Sequence, residues 1–229
     1  MIQLLFDAEC ERLPRTIAPA VLADRRRAAR RQAAHAWFMQ AELGFERYLQ
    51  LRVPRNLNFN PRYQARAERS MKRFAAWTKQ KLLTGSKLIQ AYLQVVTRVR
   101  TLDTGKRRGD PHWSIAAVAR AGMVYHNLAE QLLNIPAPAH LKTPADIDAF
   151  KLGIERFAVP LLHRAQARYR TCLKLSGDLR WFNHWSRLCE REINRLEPDR
   201  YPLANERRAK PGFVATTLAP ATFRWRSLR

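Results

Sequence analysis

Glycine is scarce, with eight in 229 residues. So few disfavour a turn-rich β fold or a glycine loop that cradles phosphate, and they leave helices favoured. Acidic residues are also in short supply: 19 Asp and Glu stand against 42 Lys and Arg, a formal net charge of +23. That surplus predicts attraction to anionic partners, whether nucleic acid, anionic lipid or acidic protein. Only three cysteines occur, Cys10, Cys172 and Cys189, with no CxxC among them. This excludes the common structural zinc patterns and leaves room for one disulfide. No stretch approaches the roughly 18 to 20 uninterrupted apolar residues of a membrane helix. The opening Met1 to Phe6, followed by Asp7 and Glu9, has neither a basic leader nor a long apolar run. It reads as a cytoplasmic start if Met1 is the native one.

What is present is 46% hydrophobic residues, enough to bury a core as one large domain or two small ones. The apolar residues recur at three and four along most of the chain. The Pro-free stretch from Val21 to Leu51 carries Ala28, Ala29, Ala33, Ala34, Trp37, Phe38, Ala41, Phe45, Tyr48 and Leu49 at that spacing, a long amphipathic helix. Residues 53 to 62 combine two Pro with three Asn and read as a turn or linker. Helices are then expected over about 61–83, ended by Thr84-Gly85-Ser86, over 87–100, and over 112–134, stopped by Pro136 and Pro138. Thr143 before Pro144 is a start signal for a helix to about 175. Pro160 should kink or divide that helix, Gly177-Asp178 should turn, and a last helix should run over 181–196. The expectation is thus an all-α fold of about seven helices. Residues 1–57 would form a basic helix and linker, 58–200 the helical domain, and 201–229 an extended or disordered basic tail.

Chemistry finds little footing. The six histidines, His35, His112, His126, His140, His163 and His184, include no HExxH and no pair at i, i+4. Asp146 with Asp148 and Glu190 with Glu192 sit beside basic residues, where ion pairing is the simpler account. No serine lies in a GxSxG elbow. Gly105-Lys106 lacks both the upstream glycine and the Ser/Thr of a P-loop. No catalytic, metal or cofactor site is expected. Three basic clusters, Arg25-Arg26-Arg27 with Arg30-Arg31, Lys106-Arg107-Arg108, and Arg207-Arg208 with Lys210, would make a nucleic-acid surface if they converged. Positive charge is nevertheless spread along the whole chain, which is weaker support for such a groove than one stripe would be.

Self-similarity is more informative. Leu88-x-x-x-Tyr92-x-x-Val95 is followed by Val118-x-x-Ala121-Gly122-x-x-Tyr125, and Ala165-x-x-x-Tyr169-x-x-Cys172 by Trp185-x-x-Leu188-Cys189. The pattern resembles tetratricopeptide hairpins. The small residues Ala121 and Gly122 would let helices approach, while Tyr92, Tyr125 and Tyr169 fill the gaps and antiparallel pairs stack in a right-handed array. If helices 160–175 and 181–196 form a hairpin, Cys172 and Cys189 face each other and could bond. The alternative is two small buried thiols.

A family resemblance rests on four segments. They are Trp113-x-Ile115-Ala116-Ala117-x-x-Arg120-x-Gly122-x-x-Tyr125, Pro136-Ala137-Pro138-x-x-Leu141, Pro160-Leu161 with Ala165 and Tyr169, and Phe182-Asn183-x-Trp185-Ser186-x-x-Cys189-Glu190 with Leu196-x-Pro198-x-x-Tyr201-Pro202. Together, over roughly residues 58 to 211, they resemble the C-terminal region of large tetratricopeptide-repeat cell-envelope proteins of myxobacteria and their deltaproteobacterial relatives, some tied to adventurous gliding motility. The resemblance implies a non-enzymatic, periplasmic scaffold that holds other proteins of the envelope. A basic nucleic-acid-binding helical protein is the alternative.

Overall fold

The computed structural model describes residues 19–101 and 110–203. Among these residues every regular element is helical: α1 Pro19–Gln50, α2 Gln64–Thr101, α3 Pro111–Leu133, α4 Pro144–Asp178 and α5 His184–Leu196, with a 3₁₀ turn at Pro61–Tyr63 leading into α2. Two of the expected breaks do not occur, so five α-helices stand where about seven were expected. Thr84-Gly85-Ser86 lies inside α2. A Cβ at Gly85 would meet Tyr48 Cε2 at 3.2 Å and Val124 Cγ1 at 3.3 Å, so the glycine serves close helix approach and not a turn. Pro160 lies inside a continuous α4, where the buried Ala158, Leu161 and Ala165 on either side offset the one backbone hydrogen bond it forfeits. Gly177-Asp178 belongs to the last turn of α4, and α5 begins at His184, three residues later than expected.

Side chains that can accept from free N–H groups set the starts. Asp110, Thr143 and Asn183 accept from the backbone N–H of Trp113, Asp146 and Trp185 at 3.1, 3.1 and 3.0 Å. Pro111 and Pro144 occupy the first helical positions. Asn183 and Ser186 complete a reciprocal capping box on α5.

Consecutive helices run antiparallel, as their contacts show. Glu42 meets Tyr92 and Tyr48 meets Lys81 across α1 and α2. Gly122 meets Tyr169, while Leu128 and Leu132 share a cluster with Ala158 and Leu161, across α3 and α4. Cys172 meets Cys189 across α4 and α5. Helix α3 is the centre. Its Ser114–Ala119 run, Ala121, Gly122 and Val124 are all buried, as befits a helix that is apolar around most of its circumference.

Two apolar clusters result. The larger draws on all five helices, from Ala33, Phe38 and Tyr48 of α1 to Trp185 and Ile193 of α5. The smaller holds Trp77, Leu128, Ala129, Leu132, Ala158 and Leu161, with Val53 and Ile135 from the flanking loops. Helix α1 therefore shares a core with residues 88–193, and the expected boundary at 57 falls in a loop without dividing that core.

Candidate functional site

The residues of the repeat pattern meet at the α3 seam. Tyr92, Val95, Ala121, Gly122, Ala165, Tyr169 and Trp185 are buried, while Trp113 and Tyr125 are half-buried at its margin. The Tyr169 ring rests on Gly122, where an added Cβ would come within 2.7 Å of Cε1. Its hydroxyl lies 3.2 Å from His126 Nδ1, and the same nitrogen is 3.3 Å from Glu192 Oε2. Burial pushes the Tyr169 phenol up, and the Glu192 and Glu130 carboxylates add to the shift. Cys172 and Cys189 are joined as a disulfide, Cα to Cα 6.5 Å, both fully buried.

Two charged groups inside the bundle have roles that the sequence does not assign, although Arg120 belongs to the family pattern. Arg120 pairs with Glu42, Nη2 to Oε2 2.7 Å and Nε to Oε1 2.9 Å. Its guanidinium stands between two rings, 4.6 Å from the centroid of Phe45 and 4.8 Å from that of Trp185. Tyr92 donates its hydroxyl proton to the same carboxylate, and burial followed by that bond drives its pKa upward. Arg120 thus ties α1, α3 and α5 through one guanidinium. Lys81 is wholly buried in α2. Its ammonium donates to the carbonyls of Tyr48 and Leu51 at 2.6 and 2.9 Å, closing the C-terminal end of α1, and sits 3.7 Å over the Tyr48 ring. Burial brings its pKa down to about 8.

Of the expected basic surfaces, only the first lies within the described residues. Arg25, Arg26 and Arg27 are exposed along α1, with Arg27 paired to Asp24, and Arg31 binds Asp110 at 3.2 Å. Arg30 is half-buried on the same helix. Lys106, Arg107 and Arg108, with the Gly105-Lys106 pair, and Arg207, Arg208 and Lys210 lie outside the described residues. Three histidines gather near Asp110. His35 stacks on Trp113 at 4.5 Å, and His112 lies 5.7 Å from His184 and accepts from Asn183 Nδ2 at 3.3 Å. Burial and then His184 lower the His112 pKa. Among the described residues no three His, Cys, Asp or Glu are grouped to hold a metal ion, and no helix is long and apolar enough to cross a membrane.

An apolar feature with room for a ligand lies elsewhere, beside the smaller cluster. A groove of about 600 Å³ runs between α2 and the first half of α4. Phe74, Thr78 and Leu82 form one wall, Phe150, Ile154 and Phe157 much of the other, and Leu128 and Leu132 of α3 the floor. Phe157 is 74% exposed and Leu82 46%, so the described residues leave an apolar face uncovered. Arg156 and Arg164 are the charged side chains of its lining. The sequence held a signal for it: Phe150, Ile154, Phe157 and Leu161 recur at helical spacing, the stripe of a helix that packs on something. No protein-family model, curated protein or solved structure matches the chain.

Proposed function

We propose that the chain is a non-enzymatic helical scaffold whose stacked, tetratricopeptide-like hairpins dock a segment of another protein. The observation that carries this reading is the open groove between α2, α3 and α4, apolar on both walls and floor. Antiparallel hairpins meeting at Gly122 and Tyr169 support the repeat-like description, since small residues let neighbouring pairs nest. The Cys172–Cys189 bond suits an oxidising compartment and so the cell-envelope setting that the resemblance implies.

Replacing Phe157 by a photo-cross-linking phenylalanine in cells tests this, with Lys174, exposed further along α4, as the control position. A discrete protein adduct is expected from position 157 and none from 174. Adducts that nuclease removes, or equal yields at both positions, would overturn the reading in favour of a nucleic-acid surface or non-specific contact.

A further inference from the structure

We propose that the occupant of this groove is an amphipathic α-helix of about four turns with acidic flanks, supplied by a different protein. The inference rests on the docking reading above and adds the chemistry of the partner.

Length comes first. The α4 wall runs from Ala149 to Arg164, about 22 Å at 1.5 Å per residue, the span of a helix of about 15 residues. The walls have the right texture: Phe74, Thr78 and Leu82 at i, i+4 and i+8 on one side and Phe150, Ile154, Phe157 and Leu161 on the other form two apolar ridges. A third ridge, bearing apolar residues at three and four, fits between them.

Gly153 supplies an independent observation. It stands mid-helix in α4, where glycine weakens a helix relative to alanine. A Cβ built there would meet nothing within 4 Å, so the folded chain makes no use of the missing side chain. The position lines the groove, and the gap lets an incoming backbone come close.

Charge selects among occupants. Arg156 and Arg164 are exposed on the lining, and no carboxylate of the described residues pairs with either. Arg164 is held over the Tyr125 ring at 5.9 Å, its guanidinium otherwise available. A second copy of a chain with net charge +23 would bring like charge to this rim. Residues 204–229, with six Lys and Arg against Glu206, would do the same. An acidic helix from elsewhere completes both the apolar contact and the charge.

The test uses two labelled 18-residue helical peptides with the same Leu stripe, one flanked by Glu and one by Lys, titrated into the full chain at 0.15 M salt and read by fluorescence anisotropy. The Glu peptide should bind about tenfold or more tighter than the Lys peptide, and the Arg156→Glu/Arg164→Glu double variant should reverse the order. Gly153→Leu and Phe157→Glu should each weaken the Glu peptide by about tenfold or more without lowering the thermal midpoint, because a side chain at 153 meets nothing in the folded chain and Phe157 is exposed. Equal binding of the two peptides, or Glu-peptide binding indifferent to Gly153→Leu and Phe157→Glu, overturns the inference. A Lys peptide that binds tighter and is lost in Phe157→Glu overturns the acidic partner and leaves groove docking standing. Binding by neither peptide, with the adduct at 157 persisting, does the same.

Discussion

Around the first half of α3, four other helices close on a core that includes a disulfide, an arginine between two rings and a tyrosine seated on a glycine. Around its last turns the apolar contacts come from α2, α4 and the two flanking loops, with α5 reaching it through Arg195 at Glu130, and the apolar residues there continue outward into a groove that nothing in the described chain covers. The same helix thus passes from a finished interior to an unfinished one. The difference teaches where the stability resides and where binding can be hosted, since a face that folding does not need is free to serve a partner.

The comparison can be broken most forcefully at Arg120. Arg120→Ala strands a mostly buried Glu42 and opens a gap between Phe45 and Trp185, and we expect a loss of about 4 kcal/mol in urea unfolding. Opening the Cys172–Cys189 bond comes next. It closes a loop of sequence separation 17, and reduction should cost about 3 kcal/mol, seen as a lower urea midpoint with reductant.

Lys81, between the two regions, gives a smaller effect with a defined sign. Its folded pKa of about 8 lies below the unfolded value, so above that pH the unfolded chain holds a proton the folded one has released, and stability rises with pH. From pH 8 to 9.5 the gain should be about 1 to 2 kcal/mol in wild type and absent in Lys81→Met. Above about pH 10 the trend should reverse. Burial raises the Tyr48, Tyr92 and Tyr169 phenols, so they stay neutral when folded while their unfolded counterparts ionise. The smallest effect sharpens the contrast: Phe157→Ser should change stability by no more than about 0.5 kcal/mol while weakening the Glu peptide by about tenfold or more.

Much of the fold is legible in the sequence because helical periodicity is a local signal. The apolar stripe of α1, the Thr143-Pro144 start of α4 and the seam at Gly122 could each be read from neighbours a few residues away. Gly85 and Pro160 misled because their effect depends on distant partners. Gly85 is decided by Tyr48 and Val124, Pro160 by the core contacts flanking it. Arg120 and Lys81 are two among 42 basic residues, and what settles each is a distant partner: Glu42 for Arg120, the carbonyls of Tyr48 and Leu51 for Lys81. The groove was half legible. The stripe through Phe157 is plain, but only the packed structure shows that no helix among the described residues lies against it.

The ring of Phe38, on α1, touches that of Trp185, on α5, at 5.7 Å between centroids. During translation the amino-terminal stripe leaves the ribosome long before the tryptophan that seals it has been made. The nascent chain therefore carries an apolar helix that α2 and α3 cover only in part until α5 has been made, a standing invitation to chaperones and a natural point of failure for truncated products.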